Sequence, residues 1–231
     1  NHIGAALSKE RDINNLLDKS ITGHEIREQG PPALDLSKIN FQALADRFKE
    51  SKHKNTDIEV LKAAIRARLE RMIQLNKSRA DFSEKFEELI DAYNAGSRSI
   101  EELFQELMAL SRSLDMEEER HVRENLTEEE LVILDILTRP APELSAIERA
   151  EVKKVAKALL AKLKDMLVLN WRVKSAARSQ LKIAIEDTLD EGLPAPYTKE
   201  IFEDKCAVLF EHVYESYPER DKGIYIRAGA N

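Results

Sequence analysis

The sequence is short of the residues that make turns, crosslinks and membrane spans. Among 231 residues there are seven glycines and seven prolines, about half the usual share. Sandwiches and barrels need a turn signal about every ten residues, so that class is excluded, as are collagen-like and low-complexity chains. The one cysteine, Cys206, cannot form an internal disulfide. That excludes a disulfide-stapled fold and fits a reducing cytoplasm. No apolar run reaches ~18 residues, so no segment is expected to span a membrane. Residues 1–11 lack the basic-then-apolar order of a signal peptide. Nor is there a basic excess: 43 Asp+Glu against 36 Lys+Arg give a net charge of −7, unlike a polycation built for nucleic acid. The first residue is Asn rather than Met, from which a piece of a longer protein is expected.

What is present is charge, 34% of residues, laid over helical periodicity. The expected fold is all-α, an irregular bundle of about eight or nine helices with an extended N-terminal arm and a short C-terminal tail. The division is 1–37 as arm or linker, 38–218 as helical domain and 219–231 as tail. Within the arm, residues 7–20 suit one short helix, and Gly30-Pro31-Pro32 forces an extended stretch. Phe41, Leu44, Ala45 and Phe48 begin the helical pattern. Thr56 is read as the cap of a long helix carrying Ile58, Leu61, Ile65, Leu69 and Met72 on one face. Phe82, Phe86, Leu89, Ile90 and Tyr93 form the next stripe, ended by Gly96 in the left-handed conformation that a C-terminal cap favours. Three capping boxes follow, Ser99/Glu102, Thr127/Glu130 and Ser145/Glu148. Residues 131–137 are apolar on nearly every side, so their helix is expected at the centre. Asn170 is read as opening a helix that starts at Trp171. Thr198 opens the last one, whose apolar face carries Phe202, Cys206, Leu209, Phe210, Val213 and Tyr217.

Catalytic signatures are missing. There is no G-x-x-x-x-G-K-S/T phosphate loop, no G-x-G-x-x-G and no H-E-x-x-H. His2, His24, His53, His121 and His212 stand singly, without metal-ligand spacing. Cys206 reads as a small core residue. Glu151-Val152-Lys153 and Glu203-Asp204-Lys205, with Asp135 and Asp190 upstream, copy the letters of a Mg²⁺-dependent nuclease site. That site needs residues i and i+2 on one side, as a strand places them and a helix does not. Charge is unevenly spread. Residues 148–182 hold ten Lys/Arg against three Asp/Glu, and residues 101–130 hold three against eleven. Either the two segments offer faces to DNA and to a basic partner, or they are solvated and face each other within the fold.

Five phrases are recognisable in order. They are Leu34-Asp35-Leu36-Ser37-Lys38-Ile39-Asn40-Phe41, the run from Phe82 to Tyr93-Asn94-Ala95-Gly96, and Arg120-His121-Val122-Arg123-Glu124-Asn125-Leu126-Thr127-Glu128-Glu129-Glu130-Leu131. Leu169-Asn170-Trp171-Arg172 and Ile185-Glu186-Asp187-Thr188-Leu189-Asp190-Glu191-Gly192-Leu193-Pro194 complete the set. Over residues 34–217 the chain resembles the C-terminal helical domain of the restriction (motor and nuclease) subunit of type I restriction-modification enzymes. One departure is Asn170, where the family pattern has Asp.

The resemblance implies a parent subunit with a nuclease domain and two motor lobes that use ATP and Mg²⁺. This domain would itself bind no cofactor or metal, would not be an enzyme alone, and would dock the motor onto the methylation and specificity subunits. The arm would then lead from the motor lobes. DNA contact through the complex, with the domain guiding duplex behind the motor, is the alternative, and a free-standing helical enzyme is the other. The partner-binding residues singled out are Arg120, His121, Arg123, Glu124 and Asn125, with Trp171 and Arg172. The stretch has little apolar content to bury, and arginine is favoured at interfaces. The same arginines also stand beside Glu117–Glu119 and Glu128–Glu130, which they could simply neutralise.

Overall fold

Five of the described helices begin where the sequence supplies a side chain that closes the first turn: Asn40, Ser99, Thr127, Ser145 and Thr198. In the computed structural model, which describes residues 40–218 and 223–225, all three capping boxes form. Glu102, Glu130 and Glu148 accept from the backbone N–H of Ser99, Thr127 and Ser145 at 2.7–2.8 Å, and each cap hydroxyl accepts in return. The helices are α1 (Phe41–Glu50), α2 (Lys54–Leu75), α3 (Ala80–Asn94), α4 (Ile100–Glu118), α5 (Arg120–Arg123), α6 (Glu128–Thr138), α7 (Ala146–Met166), α8 (Ser175–Gly192) and α9 (Lys199–Ser216). Among the described residues there are nine helices and no strand, as the periodicity predicts. The arm 1–37 with its expected helix lies outside the described residues, as does most of the tail.

Two helix starts differ from expectation. Helix α2 begins at Lys54 with His53 at the N-cap rather than at Thr56. Helix α8 begins at Ser175, not Trp171. Asn170 does not cap it but sits at φ +57°, a left-handed conformation that Asn tolerates. Successive turn bonds run from Trp171 to Val168, Val173 to Asn170 and Lys174 to Trp171. This geometry sends the Trp171 ring inward, fully buried.

The described helices divide into two compact units between Glu118 and Glu119, within the span 38–218 that the sequence presents as one helical domain. In the first unit the predicted stripes of α2 and α3 meet α4. Ile58, Leu61, Ile65, Leu69, Met72, Phe86 and Ile90 are buried against Leu103, Phe104, Leu107 and Leu114, and Phe48 stacks on Phe104 with ring centroids 3.9 Å apart. Gly96 ends α3 at φ +74°. Ser97 N–H donates to Ala92 and Gly96 N–H to Tyr93, closing the helix end as a Schellman motif does. Two arginines are buried here. Arg68 binds Asp115 and Glu118 at 2.6–2.7 Å, and Arg79 binds Glu117 at 3.0 Å. Part of the acidic run is therefore held within its own unit.

The second unit is a closed ring: α6 packs on α7, α7 on α8, α8 on α9, and α9 returns to α6. Helix α6 is its centre, with Leu131, Val132, Ile133, Leu134 and Leu137 all buried. Each such side chain contributes about 1.5–3 kcal/mol when removed from water. The carbonyls at the end of α6 are closed from far along the chain. Tyr197 Oη donates to the Leu137 carbonyl at 2.9 Å and Lys205 Nζ to that of Arg139 at 2.6 Å. Burial pushes the Tyr197 hydroxyl up to about 12 and the Lys205 ammonium down.

Candidate partner-docking surface

The singled-out residues all belong to the second unit, and their environments separate them into two kinds. Arg120 is the first residue of the short α5. Its guanidinium makes a two-pronged ion pair with Asp135, the one carboxylate in the apolar run. The Asp135 side chain is 0% exposed and that of Arg120 13%. Arg120 therefore neutralises a buried acid fifteen residues further along the chain. Glu124 is held by Arg149 at 3.0 Å and Lys153 at 3.1 Å on α7. Its burial, the largest influence, would raise its carboxyl, but the hydrogen bonds from Lys153 and Arg149 hold it below the usual carboxylate range. His121 Nδ1 lies 3.6 Å from Glu128. Asn125 sits at φ +52° and ends α5. Leu126 N–H donates to His121 and Asn125 N–H to Val122, so Asn takes the place that glycine usually fills. Lys157 Nζ donates to the Asn125 carbonyl at 2.9 Å.

The arginine facing water is Arg123, exposed and 4.0 Å from Glu119. Beside it Val122 is exposed too. At the second place, Trp171 is inside. Its Nε1–H donates to the Tyr217 carbonyl at 2.8 Å, and its ring meets that of Tyr214 edge-on at 5.7 Å. Arg172 lies over the outer side of Tyr214, 5.2 Å from the ring centre, and donates to the Glu215 carbonyl. The anchored Trp171 holds up a turn whose aliphatic side chains point outward: Val168 is 47% exposed, Leu169 65% and Val173 78%. Sequence reasoning does not single out these three. Their signal is an apolar pair continuing past Leu167, the last residue of the α7 stripe, into a turn.

The basic and acidic segments do meet in this unit. Besides the Glu124 pairs, Lys164 binds Glu129 at 2.7 Å, and Glu129 also accepts from the Tyr217 hydroxyl. Of the two nuclease lookalikes, Glu203 is exposed while Lys205 is buried, and Glu151 is exposed while Lys153 turns to Glu124. Helical geometry splits each pair across its helix.

A family model described as "Type I restriction enzyme HindI endonuclease subunit-like, C-terminal" matches residues 3–215. The chain belongs to this family. A putative type I restriction enzyme MjaIXP endonuclease subunit of Methanocaldococcus jannaschii is 26% identical over 209 residues, which cover 84% of this chain and 20% of that protein. The chain thus spans about a fifth of that relative's length. No solved structure matches significantly. Among the described residues, no group of three or more His, Cys, Asp or Glu could hold a metal ion. No described helix is long and apolar enough to cross a membrane.

Proposed function

We propose that this chain is the coupling domain of a type I restriction endonuclease subunit, docking the motor lobes onto the methylation and specificity subunits. The observation that carries the reading is the family match across residues 3–215, to a family described as the C-terminal part of such a subunit. The parent is then an ATP- and Mg²⁺-dependent DNA translocase and nuclease, with both cofactors held by its other domains and no catalysis by this one.

The turn with Val168, Leu169 and Val173 supports a docking role, because three neighbouring exposed aliphatics are the kind of patch that a partner covers. Arg123 and Val122 offer a second contact of mixed character, and Arg172 flanks the turn. Guiding duplex DNA is the competing role. It draws on the basic segment, but there Arg149, Lys153, Lys157 and Lys164 are turned onto groups of their own unit. The test is assembly of the full-length endonuclease protein with Leu169→Asp and Val173→Asp. Affinity for the methylation and specificity subunits should fall by roughly 2–4 kcal/mol, the transfer value of two largely exposed aliphatics plus the cost of burying charge. ATP hydrolysis by the same protein free of its partners should stay unchanged. Wild-type assembly combined with weakened DNA affinity would favour the guiding role.

A further inference from the structure

Helix α9 carries two apolar faces, and the ring of helices covers one of them. Leu209 and Val213, with the buried stem of Lys205, turn inward. Phe202, Cys206 and Phe210, at i, i+4 and i+8, are only half buried and form the floor of a cleft of about 900 Å³ between α8 and α9. An inner stripe packs the unit. The outer stripe leaves aromatic surface in contact with water.

The opposite wall supplies charge. Glu186, Asp187 and Asp190 of α8 line the cleft, all exposed, and no basic side chain among the described residues pairs with them. The two cations at the cleft have other partners than these three carboxylates. Lys182 lies over the Phe210 ring, 4.7 Å from its centre, and Lys199 is 3.8 Å from Glu203. One cation already rests on the aromatic stripe, so this floor suits the stems and heads of lysine and arginine as well as aliphatic groups. Phosphate would meet three carboxylates here, which disfavours nucleic acid.

We propose that the α8–α9 cleft is a docking groove for a basic amphipathic helix of a protein partner, its aliphatic face on Phe202, Cys206 and Phe210 and its lysines or arginines against Glu186, Asp187 and Asp190. The floor runs eight residues along α9, about 12 Å, which two turns of a guest helix match. The groove goes beyond the coupling role: whichever protein supplies the helix, the chemistry of the occupant is set by this floor and this wall.

Cys206 gives the test a built-in reporter, being the sole thiol of the chain. Burial, with Glu186 and Glu203 nearby, pushes it up to about 11, so alkylation is slow enough to time. The probe is a designed peptide of about 14 residues, leucines at i, i+4 spacing on one face and lysines beside them. Bound to the 231-residue chain, it should slow iodoacetamide labelling of Cys206, read by mass spectrometry, at least about ten-fold. Glu186→Gln, Asp187→Asn and Asp190→Asn together should weaken peptide binding about ten-fold. Glu84→Gln, Glu88→Gln and Asp91→Asn on α3 make the same change in net charge and should leave binding within about two-fold. No binding, binding without protection of Cys206, equal weakening by both triple variants, or better protection by a DNA duplex each overturns the proposal. Because no other protein of the complex takes part, this outcome is read separately from that of the assembly experiment.

Discussion

Replacing Arg120 by Ala removes a two-pronged cation from an acid at the centre of the second unit. Asp135 lies in the middle of the run Leu131, Val132, Ile133, Leu134 and Leu137 and has no exposed side-chain surface. Arg120 binds both of its carboxylate oxygens, while Arg139 is half exposed and 3.8 Å away. Breaking a buried pair costs about 3–5 kcal/mol, because the remaining charge keeps its desolvation penalty and loses its compensation. Arg139 can swing closer, which puts the expected loss near the lower end, about 3 kcal/mol. Urea unfolding followed by the fluorescence of Trp171 measures it, since this is the only tryptophan and it is buried in the same unit. Arg120→Met with Asp135→Leu should restore stability to within about 1 kcal/mol of wild type, because apolar replacements of similar volume often equal a buried pair. A loss below about 1 kcal/mol for Arg120→Ala would refute the reasoning. So would a double variant as unstable as the single one.

Gly192 tests packing instead of charge. A Cβ there would stand 2.6 Å from Val155 Cγ2, and Val155 is buried and stiff at χ1. Gly192→Ala should therefore destabilise by roughly 1–2 kcal/mol in the same assay, where an unhindered helical site would gain from the change. Acid titration tests Glu124. Its folded carboxyl is lowered, so its contribution is complete above the ordinary carboxylate range and disappears as pH falls through the folded value. Glu124→Gln should accordingly flatten stability against pH between about 5 and 3, and an unchanged profile would count against the pairing with Arg149 and Lys153.

Much of the helical order is legible because its determinants are local. A cap and its glutamate lie three residues apart, so Ser99, Thr127 and Ser145 can be read directly, as can the stripe from Ile58 to Met72 and the end at Gly96. Partners chosen by packing are not legible. Arg120 has glutamates on both sides in sequence, yet its two-pronged pair is with Asp135, a buried acid with the greater need of a cation. Trp171 shows the same limit: Asn170 as a cap implies a helix from 171, whereas the left-handed Asn170 turns the indole inward and leaves Val168, Leu169 and Val173 outside. The periodicity puts Cys206 on a single apolar face, but α9 has two, and the thiol lies on the outer one. A sequence stripe reports that a face is apolar, not which neighbour covers it.

The two ends of α6 are decided at different times in the life of the chain. Thr127 and Glu130 fix its beginning within four residues, as soon as that stretch has left the ribosome. Its last carbonyls wait for the Tyr197 hydroxyl and the Lys205 ammonium, 60 and 66 residues further on. Until those arrive, the most apolar helix of the unit has an unfinished end and a bare flank where α9 belongs. A stalled or clipped chain ending before residue 197 would leave that flank uncovered, whereas one that includes α9 has the helix that closes the ring. Completion of this unit is thereby tied to α9, the element that both covers α6 and supplies the donors for its end.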